Sequence, residues 1–220
     1  MSPIPQSLSD LPYAERLEPH DGRWTPGDDH DTVRFSAAHV EDPDGSGSSF
    51  LDCAFTGVTF DGGRLRRARF VDAWAQEMRL VGTDLSESSW QDCALLGSIA
   101  AGVNLSAAHL TRVVFRGCKL DAVNFRFCGL TDVRFEDCLL REVDFGGATL
   151  TRTSFPGSRL TRTILAGATL DRVDLRGAEL GLTIDPRSMR GAVISPAQLL
   201  DLAPLLAETL GIDVAEPDGE

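Results

Sequence analysis

The residue types that most often carry chemistry are few in this chain, and their spacing argues against a reaction. Cys53, Cys93, Cys118, Cys128 and Cys138 are separated by multiples of five. Convergent thiols would suggest a metal centre or a redox pair. None of the five forms a Cys-x-x-Cys pair, and no histidine or carboxylate shares their register. Each reads instead as a small apolar filler of a packed interior. His20, His30 and His39 lie in or beside an irregular N-terminal stretch, and His109 takes an outward position. No nucleophile stands in a recognisable setting, and no Gly-rich loop precedes a helix as phosphate binding requires. Catalysis, a metal and a cofactor are therefore not expected.

Charge is the next possible carrier of function. The formal net charge is −12. It divides unevenly, with −7 over residues 1–49, zero over 50–180 and −5 over 181–220. An acidic chain is repelled by phosphate, so direct nucleic-acid binding is not expected. No apolar run approaches the roughly 18 residues of a membrane helix, and the start Met-Ser-Pro-Ile-Pro-Gln-Ser has no basic, then apolar, leader pattern. Reduced thiols in a cytoplasmic protein are the expectation.

What must position these residues is a repeat. Every fifth residue from Phe50 to Leu180 is Leu, Phe or Trp, except Ala75 and Ala100. Two residues before each such centre the side chain is small, with Met78 the bulky exception. A period of five fits neither a helix nor a flat strand. It requires a backbone that turns every five residues while the centre and the residue two before it point inward. Successive coils then stack and satisfy one another's backbone groups.

The pattern resembles the pentapeptide-repeat family, whose consensus is Ala-(Asp/Asn)-Leu-x-x. Matching segments include Thr83-Asp84-Leu85, Val103-Asn104-Leu105, Val123-Asn124-Phe125, Val143-Asp144-Phe145 and Val173-Asp174-Leu175. The resemblance implies an all-β fold, a right-handed quadrilateral parallel β-helix with four pentapeptides per coil. Residues 50–180 then make about 6.5 coils, a rod ~31 Å long at ~4.8 Å per coil. Strict alternation of Leu and Phe from Leu110 to Leu160 puts Phe on one opposed pair of sides and Leu on the other. Trp90 should face Ala100 across the interior.

The ends depart from the repeat. Residues 1–32 read as an irregular or disordered arm in which Leu8, Leu11, Tyr13 and Leu17 either pack or remain mobile. The β-helix is expected over 33–194, with a ragged first coil and a loop at 41–49 carrying Pro43, Gly45 and Gly47. After Leu180 the register slips by one, and Ile184, Met189 and Ile194 continue the spacing. Ser195-Pro196-Ala197-Gln198 reads as a capped helix start, giving a helix over 195–211, kinked or split at Pro204, and a tail over 212–220. Leu199, Leu202, Leu205, Leu206 and Leu210 are its cap contacts, either within one chain or also toward a second copy. The C-terminal stretch resembles that of the gyrase-protecting members (Qnr-like proteins and a mycobacterial relative), which implies a homodimer.

Two functions remain open. The resemblance to those members implies binding to DNA gyrase or another type II topoisomerase by DNA mimicry, with Asp52, Asp72, Asp92 and Asp132 as the contact face. Arg112, Arg152 and Arg172 stand in the same column, and Arg64, Arg66, Arg67 and Arg69 cluster nearby. The alternative is a general protein-interaction scaffold with another partner.

Overall fold

Each five-residue unit contributes one short strand and one corner. The centre is buried, and the residue two beyond it turns the chain in the left-handed region, as at Asp52 (φ 50°), Asp92 (φ 55°) and Arg152 (φ 48°). Four units close one coil, so that each strand pairs in parallel with the strand twenty residues away. The computed structural model describes residues 4–20, 22–185 and 187–215. The expected tail at 212–220 therefore lies partly outside the described residues.

The four sides are distinct. Side 1 is an eight-stranded parallel sheet through His30, Phe50, Phe70, Trp90 and onward to Leu170. Side 2 runs through Phe35, Phe55, Ala75 and Leu95 to Phe135, and continues by bridges through Ser154 and Asp174. Side 3 is a second eight-stranded sheet, from Val40 through Ala100 to Leu180. Side 4 is a row of single bridges from Asp44 to Ile164. Trp90 pairs with Phe70 and Leu110 on side 1, while Ala100 pairs with Leu80 and Leu120 on side 3. The largest and one of the smallest centres thus lie on opposed sides, which keeps the volume of that layer constant.

The aromatic stacks follow the alternation. Phe115, Phe135 and Phe155 stack at 4.8 and 4.9 Å on side 2, and Phe125 stacks on Phe145 at 5.1 Å on side 4. Rings of the two columns meet edge-on, as in Phe125–Phe135 at 6.2 Å and 84°. Such offset and edge-to-face contacts add to the gain from burial.

Both ends differ in part from the sequence reading. Glu18–Pro19 pairs with Val33–Arg34 and Asp29–Asp31 with Ser49–Leu51, so the strands of the solenoid start before residue 33. Residues 41–49 form no loop. Asp44 bridges to Arg64, and Gly45 and Gly47 donate to the Arg64 and Arg66 carbonyls, as the equivalent positions do in the following coils through Phe125 and Phe127. Glycine and proline there serve the corner geometry that the repeat needs anyway. The one-residue slip after Leu180 is present as a register shift between Leu160 and Thr163. Pro204 does not break the last element: helix α1 (Pro196–Leu210) is continuous, capped by Ser195 and closed by Gly211 at φ 69°.

Candidate functional site

The Asp column lies along the corner between sides 1 and 2, but it is not a run of free charge. Arg112 donates to Asp92 from Nε and a terminal nitrogen, both at 2.6 Å. Arg152 holds Asp132 in the same way, again at 2.6 Å twice. Arg16 reaches Asp52 at 3.6 Å. The arginine hydrogen bonds hold the Asp92 and Asp132 carboxyls below their ordinary range. Asp72 takes part in none of these pairs. Partial burial, then the neighbouring Asp92 and Asp52, push its carboxyl up.

Pairing at twenty-residue spacing recurs on the other sides. Arg141 binds Asp121, Arg162 binds Glu142 and Arg159 binds Glu179 (2.6 Å). Glu136 is buried and bridges Arg116 at 2.7 Å and Arg134 at 2.5 Å. On side 4, Asn124 donates to Asn104 (2.9 Å) and Asn104 to Asp84 (3.1 Å), a ladder one coil per step. Acidic and basic residues thus neutralise one another along the rod, as the zero charge of residues 50–180 anticipates.

Two side chains not singled out by the sequence reading stand apart. Phe127 is 64% exposed and adopts φ 59°, the one aromatic among the described non-glycine residues with positive φ. A bulky side chain in that region is strained. Its ring lies so close to Gly147, one coil on, that a Cβ there would meet it at 2.6 Å. The Arg126 guanidinium sits 5.4 Å from the ring centroid and also pairs with Asp144 at 3.1 Å. The second is Trp74, which points outward from side 2 yet is only 2% exposed. The sequence signals were present: Phe127 is two beyond a centre, and Trp74 immediately precedes one.

Trp74 is covered by the N-terminal arm. Leu11 and Tyr13 are buried against Ala54, Trp74 and Leu96, with Ile4, Leu8 and Leu17 beside them. The Trp74 indole donates to the Pro5 carbonyl at 3.1 Å, and the Tyr13 hydroxyl to the Asp72 carbonyl at 2.6 Å. Glu18–Pro19 then pairs with Val33–Arg34, extending side 2 by one short strand. Of the two fates open to Leu8, Leu11, Tyr13 and Leu17, packing is the one observed.

The cysteines occupy interior positions, all buried and free. Burial pushes the Cys53, Cys93 and Cys128 thiols up to about 12. A hydrogen bond with Cys118, then burial, also raises Cys138. Unlike the sequence expectation, a histidine does reach the interior: His30 is a centre and stacks on Phe50 at 4.9 Å. His20 and Trp24 pack with it over Phe35 and close that end of the core. Among the described residues, no group of three or more His, Cys, Asp or Glu converges as metal ligands, and no helix is long and apolar enough to cross a membrane.

At the other end, Gln198 and Leu202 are buried. The Gln198 amide donates to the Leu175 and Ala178 carbonyls, each at 2.7 Å, which seats α1 on the last coil. Leu205 and Leu206 are half-buried, whereas Leu199 and Leu210 are exposed, together with Leu200, Ile212 and Val214. The five predicted leucines therefore divide between the cap and an open apolar surface.

A family model described as a pentapeptide repeat region matches residues 98–165. The sequence matches none of the curated proteins. Similar solved structures include HetL, a pentapeptide repeat protein involved in heterocyst differentiation regulation in the cyanobacterium Nostoc sp. strain PCC 7120. It is 19% identical, with 79% of this chain and 92% of that chain covered and a TM-score of 0.47. Another is a trypsin-treated variant of QnrB1, a plasmid-mediated fluoroquinolone resistance protein. It is 21% identical, with 91% and 96% covered and a TM-score of 0.45. Full-length QnrB1 is 17% identical, with 81% and 100% covered and a TM-score of 0.33.

Proposed function

The chain is a pentapeptide-repeat protein, and on that premise we propose that it is a non-catalytic docking rod for another protein. Phe127 carries the reading. An aromatic ring held in a left-handed backbone and left 64% exposed is unfavourable twice within the isolated chain. Gly147 beneath it and Arg126 beside it fix its orientation, as suits a preorganised aromatic anchor at a protein interface. A photo-crosslinking residue at position 127, introduced into the full chain in its own cells, tests this. One dominant protein adduct is expected, with none from the same probe at Thr161. Equal, diffuse labelling from both positions sinks the reading.

The same rod is proposed to dimerise through α1. Leu199, Leu200, Leu210, Ile212 and Val214 form an exposed apolar surface at the end of the solenoid, where a second copy would bury them.

A narrower reading makes the partner a type II topoisomerase such as DNA gyrase. The exposed acids Asp29, Asp31, Glu41, Asp42 and Asp61 favour it, because they gather on the first two coils, outside the arginine pairs of the middle. Any DNA-like surface is then the N-terminal end with Asp52 and Asp72, rather than the whole column through Asp132. Titrating the protein into a gyrase supercoiling assay, with and without a fluoroquinolone, decides this. Inhibition or drug protection at micromolar concentration supports it, and no effect on gyrase or its relatives removes it.

A further inference from the structure

Side 2 carries an outward strip that breaks the pattern of its own sheet. Its outward residues are polar at Arg34, Gln76, Arg116 and Arg134, but Ala54, Trp74, Ala94, Leu96 and Val114 are apolar. The arm lies on part of this strip. Beside the arm an open groove of about 650 Å³ continues along it. Trp74, Ala94 and Val114 lie on its floor, Tyr13 on the arm side, and Asp72 and Asp92 on the other.

The arm shows which chemistry the strip accepts. Apolar side chains cover the floor, a main-chain carbonyl takes the Trp74 indole N–H, and one cation, Arg16, reaches the acidic wall at Asp52. The indole contact reads only the backbone, so it suits any segment of the same shape. The connector to the rod contains Gly22 and Gly27, both at positive φ (86° and 79°). On the acidic wall Arg112 already holds Asp92, but Asp72 belongs to no such pair and sits between two like charges. A cation placed there relieves that repulsion.

We infer that the strip and its groove are an exchangeable docking site for a partner protein segment of this chemistry: apolar or aromatic residues with a Lys or Arg turned to Asp52 and Asp72. The inference rests on the docking reading and names where and how the partner binds. Charge complementarity and continuity with the arm's own interface select this occupant. The arm is then both resident and competitor. A partner meets the site only in the fraction of molecules whose arm is off, and its apparent affinity falls by that fraction.

The test uses a fluorescent peptide of residues 4–17 and the full chain, read by anisotropy. Weak binding to the unaltered chain is expected, with at least tenfold tighter binding to Leu11→Asp, whose arm is released. Tyr13→Ser is a second release variant, and circular dichroism checks that each retains the solenoid. An Arg16→Glu peptide should bind the released chain several-fold more weakly, as should the unaltered peptide to released chain carrying Asp52→Asn and Asp72→Asn. Absence of saturable binding to both folded release variants overturns the site. Binding indifferent to the charge changes overturns the cationic requirement. Loss of the position-127 adduct with intact peptide binding counts against the docking reading alone. The reverse result counts against the groove alone.

Discussion

Arg112 lies one coil beyond Asp92 and grips its carboxylate with two hydrogen bonds of 2.6 Å. Twenty residues of sequence are thereby reduced to one strand spacing, and Asp92 and Asp132, two members of a column that suggests a polyanion, become closed pairs. Arg152 and Asp132 repeat the arrangement two coils on.

These pairs set a pH dependence. The Asp92, Asp121 and Asp132 carboxyls are held below the ordinary range, chiefly by their arginine hydrogen bonds. Their contribution is complete above the unfolded value of about 3.9 and is lost as pH falls through the lower folded values. Asp72 has the opposite sign: its raised folded value means that its charge opposes folding at neutral pH, and protonation relieves this. Urea denaturation should show Arg112→Gln with Arg152→Gln slightly less stable than the parent at pH 7, with the difference shrinking as pH falls below about 4. Asp72→Asn should be slightly more stable at pH 7, with the difference vanishing in acid. An unchanged midpoint for both variants at pH 7 would mean the surrounding water screens these charges fully.

Phe127 and Gly147 make a second, separable prediction. Gly147→Ala places a Cβ at φ 69°, against the Phe127 ring, and should cost about 1–2 kcal/mol from the backbone alone. Phe127→Gly removes strain at φ 59° and should leave the melting temperature unchanged or raise it. The same substitution should abolish partner binding. A large loss of stability in Phe127→Gly would make the ring a structural element rather than an anchor.

Gln198 closes the solenoid through three roles at once. Its amide nitrogen caps the Leu175 and Ala178 carbonyls, and with Ser195 it forms the reciprocal cap of α1. Gln198→Ala leaves two buried carbonyls without this donor and should destabilise by about 1–3 kcal/mol. Hydrogen exchange should localise the change to the last coil, at the amides of residues 173–182.

The leucines of α1 should separate by face. Leu199→Lys with Leu210→Lys, both exposed, should convert a dimer to a monomer in sedimentation without lowering the melting temperature. Leu202→Ala, at a side chain 3% exposed, should instead destabilise by about 2–5 kcal/mol. A parent chain that sediments as a monomer at high micromolar concentration removes the dimer.

The cysteines, all five buried, should be silent in the folded protein. Cys53, Cys93 and Cys128, raised to about 12 by burial, carry almost no thiolate at pH 8. A thiol-specific disulfide reagent should therefore label the native chain only as fast as it opens. Rapid stoichiometric labelling would show that at least one of them is accessible.

From Phe50 to Leu180 the sequence alone determined the solenoid, its register and its interior. A five-residue period leaves one solution for where each centre points, and the Leu–Phe alternation distributes volume between opposed sides before any coordinate is known. It also held, unread, the salt-bridge spacing, since Asp92/Arg112 and Asp132/Arg152 are each one coil apart. What only the tertiary structure decided lies outside the repeat. Tyr13 meets Asp72, and Pro5 meets Trp74, across about sixty to seventy residues of chain. No period links them, because the arm has no repeat of its own. Its place is chosen by whichever apolar strip the finished coils leave uncovered, and that strip exists only once Ala54, Trp74, Ala94 and Leu96 have been stacked side by side.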